Sequence, residues 1–478
     1  MARVAFVSCV CVVVAVLSGC SLVPDYRRPD TPAPTQWSTR SPTDLAAAVP
    51  VTSGWWHVYR DSTLDALISR ALAHSDTLAS AIATVDAARA NAEKAGALRY
   101  PIVTLDGSVA RGHAPASDSS SLRQSVFAQA SYEADFWGGN AASAHAADAL
   151  TRASEFDRDV VALTLTASVA DTYFQVLSLR RRVALANAIS ADAQQLLQLV
   201  MAQRAAGVAT ELQVQQQRNA LAAFQAQVPI LEQQRDQSVH LLAMLVGTVP
   251  AEFAVPDGSL ETMAIPDVRR DLPATILEMR PDIRAEEMRL EAANENIGVA
   301  RAAFLPNVTL TAQGGTGSRA LAQFLQNPLG SLAASIVAPV FDGGALAGQL
   351  KLSHAEFERN AADYRQTVVA AFQDVEDALT VADDQRRAER SDIEAAEAAN
   401  HAASLARAEY EAGTVDFLTV LDAQRTRYQA DDAREQTRLA RLQASVGIFR
   451  AFGGGVVTEL VFDGRLDKVK ENAGLAFG

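Results

Sequence analysis

The 478-residue sequence predicts a mixed α and β chain, mostly α, built as a tandem structural repeat with two strands and one long helical hairpin in each half. Three observations lead there. Landmarks recur in the same order at a near-constant offset. Two stretches of about 65 residues contain no proline and almost no glycine, far beyond the usual helix of about 12 residues. Between the landmarks lie segments in which apolar and polar residues alternate, which is the period of a strand.

The repeat can be read directly. LRYPIVTLDG (98–107) and AFLPNVTLTA (303–312) each set a proline before a Val-Thr-Leu strand, with Pro101 and Pro306 205 positions apart. DFWGGN (135–140) and VFDGGA (340–345) keep that offset at Phe136 and Phe341 and at Gly138 and Gly343. HSDTLASA (74–81) keeps it with MRPDIRAE (279–286). In RAAGVATELQVQQQR (204–218) and YEAGTVDFLTVLDAQR (410–425), Gly207 and Gly413 lie 206 apart.

Each half then reads as helix, strand, strand, long helix, long helix. One helix is expected over Leu64–Leu98 and its counterpart over Pro273–Phe304, closed by Pro101 and Pro306, because proline cannot continue a helix. Strands are expected at about 101–112, 125–136, 306–315 and 331–341. In SVFAQASYEADF, Val126, Ala128, Ala130, Tyr132, Ala134 and Phe136 share one face, and Gln129, Ser131, Glu133 and Asp135 the other. The polar stretches HAPASDSSS (113–121) and GGTGSRALAQ (314–323) read as loops. Long helices follow over about 141–205 and 345–412, each about 100 Å at 1.5 Å per residue. Second helices return over about 210–245 and 415–451, and Gly207 and Gly413 provide left-handed caps at the hairpin tips.

Composition removes several function classes. A net charge of −14 leaves no basic face for nucleic acid. All three cysteines, Cys9, Cys11 and Cys20, lie in the first 20 residues, so the remainder holds no disulfide framework, cysteine zinc site or cysteine nucleophile. The leader has a basic start, Met1-Ala2-Arg3, and an apolar run from Val4 to Leu17 of signal-peptide length. No later run of about 20 apolar residues exists, so a membrane would be reached through a lipid or a β-barrel. Strands of about 10 residues with one apolar face suit a barrel wall. Four strands cannot close one alone, and open edges cannot sit in hydrocarbon, so the chain must oligomerise if its strands enter lipid. A trimer would supply twelve strands and twelve helical columns.

These landmarks resemble the outer-membrane efflux factors, the lipoprotein channel subunits of tripartite drug-efflux pumps. The likeness runs from about Cys20 to Gly453. It is carried by CSLVPDYRRP, RPDIRAEE (280–287), FLPNVTL, APVFDGG (338–344) and AGTVDFLTVLDAQR (412–425). It implies a homotrimer with a 12-stranded outer-membrane barrel continued by a periplasmic α-helical barrel. Its partners would be outer-membrane lipid, a periplasmic adaptor and an inner-membrane RND transporter. The implied division is a signal peptide (1–19), a lipidated tether (20–62), a first repeat (63–245), an equatorial linker (246–272), a second repeat (273–452) and an equatorial tail (453–478). The implied function is a passive exit duct of a multidrug efflux system, opened at its periplasmic tip by the adaptor. A non-pore periplasmic scaffold and a type I secretion outlet are the alternatives.

The same resemblance assigns sites. The periplasmic gate falls on Leu418 and Asp422, with Asp416 as a second carboxylate and Tyr410 three residues before the turn glycine. Tyr410 is offered a hydrogen bond by Gln213, while Val415 stands where some members carry an arginine and rules out an ion pair there. The tips at Gly207 and Gly413 would receive the adaptor, and Trp137 would join an aromatic girdle at the lipid interface. Leu17-Ser18-Gly19-Cys20 resembles a lipobox, with cleavage before Cys20 and acylation of that cysteine, and Ser21 suits outer-membrane delivery. Apart from that lipid no cofactor is expected. HAEFE (354–358) lacks metal-ligand spacing, and GGALAGQLKLS (343–353) has Gln349 where a phosphate loop needs lysine. The chain is not expected to be an enzyme.

Overall fold

A computed structural model describes residues 21–31, 34–38, 49–114, 117–268, 273–318 and 328–455. The signal peptide, Cys20 and most of the tail after Gly453 therefore lie outside the described residues. In the first repeat the elements are α1 (Ser62–His74), α2 (Asp76–Ala97), β1 (Ile102–Ala114), β2 (Ser117–Ala134), α3 (Gly139–Ala205) and α4 (Glu211–Leu245). In the second they are α5 (Ile276–Met279), α6 (Pro281–Ala302), β3 (Asn307–Ser318), β4 (Pro328–Val337), α7 (Ala345–Glu411) and α8 (Phe417–Ala451). Helix α3 contains an 18-residue window apolar enough to cross a membrane, but that window is 67% buried within the fold, as a core helix is.

The chain forms two compact units, one from Met1–Thr31, Ile82–Phe156 and Arg284–Thr367, the other from Pro32–Ala81, Asp157–Ile283 and Val368–Gly478. The first holds a four-stranded antiparallel sheet in the order β1-β2-β3-β4. Its register sorts the two faces. Val103, Ala130, Ala312 and Leu332 form one row, and Ala134, Val308 and Ile336 another, all on an apolar face. Thr104, Gln129, Gln313 and Ser331 form a row on the opposite, polar face, where Ser108 and Ser125 hydroxyls meet at 2.7 Å. Phe127 stands on the polar side, as do Ile102, Leu329 and Val337, and its ring is the bulkiest of the four. It occupies the space left by Gly315, where an added Cβ would come within 2.6 Å of the ring.

Strand limits differ from the sequence expectation. Ser117–Ser121, expected in a loop, belongs to β2, and Gly314–Ser318 belongs to β3. Backbone pairing needs no apolar face, so a serine- or glycine-rich strand shows no alternation to read. Strand β4 stops at Val337 and not at 341, because Pro339 has no N–H to donate. Strand β2 stops at Ala134, and Asp135 instead accepts the Ala141 amide at 2.8 Å to start α3.

Residues 21–31 run along α6 in the same unit. Asn294 donates to the Pro24 carbonyl (2.8 Å), Arg301 to the Leu22 carbonyl (3.1 Å), and Arg28 pairs with both oxygens of Glu287 (2.6 and 2.5 Å). Val23 fills the space that a side chain at Gly298 would need.

In the second unit the expected single helices are broken, at Ser75 between α1 and α2 and at Arg280 between α5 and α6. Both residues are extended. Pro281 disfavours helical geometry at Arg280, and Ser75 is itself a helix-start residue. Each break seats against a left-handed glycine that closes the return helix of its own repeat. Gly247 (φ 69°) and Gly453 (φ 89°) end α4 and α8 with the same pair of bonds: Gly247 to Met244 and Thr248 to Ala243, then Gly453 to Arg450 and Gly454 to Phe449. Arg280 adds a charged lock to the second joint, donating to Ala451 O (3.1 Å), Asp282 (2.6 Å) and Asp374 (3.0 Å).

Around these joints lies an aromatic core, with Trp55 stacked on Phe449 at 5.2 Å and the buried Tyr59 hydroxyl 2.7 Å from Ser445 Oγ. Arginines pin the linker between the repeats: Arg180 to Val255 and Pro256 carbonyls, Arg438 to Leu260 and Met263.

Gly453→Ala should destabilise the protein by ~2 kcal/mol or more, since its Cβ would lie 2.8 Å from Met279 O at a left-handed φ. Gly96→Ala, in open space within α2, should stabilise it by about 1 kcal/mol. Thermal unfolding of both variants checks the pair of signs. A pH dependence also follows. Burial raises the Asp171 carboxyl to about 7, against an attraction from Arg450 that lowers it. Because the folded-state value is raised, the native state holds this proton where the unfolded chain has released it. The Asp171 contribution to stability should therefore fall as pH rises from about 4 to about 7. Unfolding temperatures compared with Asp171→Asn across that range test it, and parallel pH profiles would refute it.

Candidate functional site

The hairpin tips belong to the second unit and are built twice from one local pattern. Helix α3 ends at Gly207 (φ 80°), whose amide bonds Arg204 O (2.9 Å) while Val208 bonds Gln203 O (2.9 Å). Helix α7 ends likewise at Gly413 (φ 76°), with Gly413 to Tyr410 O (3.0 Å) and Thr414 to Glu409 O (2.9 Å). Both are left-handed caps. Helix α4 then opens with a capping box, Thr210 with Gln213, and helix α8 opens on Asp416, which accepts the Thr419 amide at 2.8 Å and its hydroxyl at 2.7 Å.

Those caps reassign two of the expected gate residues. Gln213 is spent on Thr210 and is not the partner of Tyr410. The Tyr410 hydroxyl donates to Gln203 Oε1 at 2.7 Å, on α3 before the turn. The reach of a tyrosine across a helix pair selects the residue facing it, and sequence alignment cannot see which one that is. Asp416 serves as a helix cap, and the Thr419 hydroxyl and amide hold its carboxyl below the usual range. Leu418 is 56% exposed. Asp422 is also exposed and pairs with Arg425 on its own helix at 2.7 Å. Phe417, between Asp416 and Leu418, turns the other way into the core against Tyr410, with ring centroids 5.9 Å apart.

Three polar links tie the second hairpin to α3: Tyr410 to Gln203, Arg427 to Asp192 (3.2 Å), and Arg182 to Asp432 (2.6 Å). The two ion pairs have opposite polarity, one arginine on α8 and the other on α3. Arg427 also donates to Asn400 of α7 (2.7 Å), which in turn donates to Asp431 (2.7 Å). Gln203, Arg427, Asp192 and Arg182 were not singled out from sequence. A signal was present: Arg182, Asp192 and Gln203 sit 10 and 11 residues apart on α3, about three turns each, so they share one face. The Tyr410 and Arg427 links are half-exposed and worth only about 0.5–1 kcal/mol each, whereas Arg182 and Asp432 are more sheltered, with side chains 18% and 17% exposed. They orient the hairpin without locking it.

Trp137 follows β2 and is half-buried, its indole N–H donating to Pro306 O at 2.8 Å, just before β3. Among the described residues no group of His, Cys, Asp and Glu is arranged to hold a metal ion.

A sheet with one largely apolar face, joined in sequence to two long helical hairpins whose tips are tied by breakable polar links, fits the subunit of an outer-membrane efflux channel. The chain belongs to the outer membrane efflux protein family, whose sequence model matches residues 67–248 and 272–454, one match per repeat. The pyoverdine export outer membrane protein OpmQ of Pseudomonas putida is 39% identical to it over 433 residues, covering 88% of this chain and 92% of that protein. The solved outer-membrane channel OprN superposes with a TM-score of 0.84 at 30% identity, covering 92% of this chain and all of that one (100%). The open state of the Neisseria gonorrhoeae MtrE outer membrane channel gives 0.84 at 26% identity, over 92% of this chain and 99% of that one. The protein is thus a transport conduit of the outer membrane and not an enzyme.

Tyr410→Phe should weaken the tip by about 1 kcal/mol, the usual worth of one such bond. Arg427→Leu should cost more, because it leaves Asp192 and Asp431 without their cation. Hydrogen exchange of amides in the first turns of α8 is the measurement. Equal protection in both variants and the parent would contradict the linkage.

Proposed function

We propose that the protein is the passive exit duct of a tripartite efflux system, a homotrimer whose three sheets close a 12-stranded barrel and whose helices form a periplasmic tube. The observation that carries this reading is the open sheet. Its apolar face suits lipid, yet among the described residues β1 and β4 have no outer partners. In hydrocarbon those edges must pair, and further copies of the chain are the partners that give closure.

In this reading the acylated Cys20 anchors each copy in the outer membrane, and Trp137 lies in the interfacial girdle. Three copies of Leu418 form a dry constriction, and three copies of Asp422 form a carboxylate ring beside it. Tyr410, Asp416 and Gln213 hold the tip in shape, Tyr410 through Gln203 and the other two as caps. A periplasmic adaptor docks on the turns at Gly207 and Gly413 and, with an inner-membrane RND transporter, delivers the solute. Because each link is weak, docking needs to favour the open tip by only a few kcal/mol. The cargo class is small molecules, multidrug substrates or a compound such as the pyoverdine that OpmQ is named for exporting. A non-pore scaffold would have no use for a largely apolar sheet face.

Purified protein in planar bilayers should give ion-conducting steps, and Asp422→Ala should change their conductance. The absence of steps would favour the scaffold, and an unchanged conductance would remove Asp422 from the gate. Cys20→Ala behind a substitute signal should reduce assembled trimer while leaving assembled channels conducting; assembled but silent trimers would refute the anchoring role.

A further inference from the structure

The motif AGTVDFLTVLDAQR holds a residue that neither the caps nor the links account for: Gln424. On α8 the residues Phe417, Val420, Gln424 and Tyr428 fall at intervals of three and four, one face of the helix. Phe417 and Val420 are buried in the tip core with Val214 and Leu221 of α4, and Tyr428 packs edge-on against Phe224 of α4 at 5.7 Å. Gln424 lies in the middle of that apolar stripe and is 8% exposed. Helix α4 repeats the arrangement. Val214, Gln217, Leu221 and Phe224 form its buried stripe, and Gln217 is fully buried at 0%. Gln217 Nε2 donates to Ala193 O of α3 at 2.8 Å, but its Oε1 has no hydrogen-bond partner among the described residues, and neither has Gln424 Oε1. Two of the helices that meet at the tip thus each carry one buried amide oxygen unmatched by protein.

Packing does not require this. Leucine or methionine would fill either position with similar volume and no polar demand. A buried acceptor left unmatched by protein costs about 1–3 kcal/mol, a large share of what a short apolar seam supplies. A polar residue inside a helical seam also lowers the cost of parting, because water satisfies it once the helices separate.

We propose that Gln217 and Gln424 are positioning residues of the gate that set its opening equilibrium by keeping the tip core, where α4 and α8 pack together with α3, only marginally stable. This rests on the reading of the tip as a gate. The links through Tyr410, Arg427 and Arg182 determine how the hairpin sits, and the two glutamines determine how readily it leaves.

The test uses the purified full-length channel in planar bilayers, with open fraction as the readout and thermal unfolding alongside. Gln424→Leu and Gln217→Met should raise the unfolding temperature and lower the open fraction about tenfold each. Gln424→Glu, which makes the seam more demanding of water, should raise it. Gln225→Leu, at an exposed position of α4, should do neither. Opposite shifts for Leu and Glu at position 424 are what a merely structural role would not give, since both would then disrupt packing in one direction. The same shift for both, or none, overturns the proposal. Tyr410→Phe combined with Arg427→Gln separates the two levels. If that variant opens and the Gln424 variants do not respond, only the glutamine proposal fails. If it too leaves the open fraction unchanged, the gate reading fails and the proposal falls with it.

Discussion

An antiparallel sheet with two free edges cannot stand in hydrocarbon. Each unpaired N–H and C=O along β1 and β4 would lose water without gaining a partner, at several kcal/mol apiece. With its apolar face the sheet suits lipid, and with its open edges it cannot enter lipid alone. In the proposed closed barrel the polar second face, with Thr104, Gln129 and Gln313, would be the wet side.

Duplication carries a second constraint. Each repeat must turn a long hairpin and then join its return helix to the short helices of the same half. Both halves solve the turn with the same left-handed glycine bonds, at Gly207 and Gly413, and both solve the joint in the same way, at Gly247 and Gly453. The halves differ where side chains carry charge. His74 presents its backbone to the first joint, whereas Arg280 bonds four groups of the second, through its own Asp282, Asp374 of α7, and the carbonyls of Ala371 and Ala451. Backbone geometry has been kept between the repeats and electrostatics has diverged. The second hairpin, the one that carries Leu418 and Asp422, received the stronger root and the polar links at its tip.

That distribution of strength is what the proposed gate requires. A hairpin fastened firmly at its root and weakly along its length moves at the tip and stays fixed at its base. The hairpin is held by two ion pairs of opposite polarity, by one tyrosine hydroxyl, and by a small apolar core interrupted by two glutamines. None of these contributes much alone, and all are exchanged for water when the helices part.

Much of this was legible in the sequence because it rests on local chemistry. The duplication, the glycine turns, the proline boundaries and the long glycine-poor helices are properties of short segments, and each appears where the residues place it. The family and the outer-membrane efflux role followed from motifs such as RPDIRAEE and AGTVDFLTVLDAQR. Tertiary structure alone decided the pairings. Tyr410 chose Gln203 over Gln213 because a partner is selected by which helix faces cross, a relation that spans 207 residues of chain. Strands β2 and β3 ran further than their alternation showed, because a backbone ladder is indifferent to serine and glycine. The breaks at Ser75 and Arg280 appeared within predicted single helices because the return helices end against them. The sequence by itself determined the order of the elements and the glycine turns of the hairpins, since those depend on neighbours along the chain; the helix breaks, the strand limits and which side chains meet were left to packing, which brings distant residues to one place.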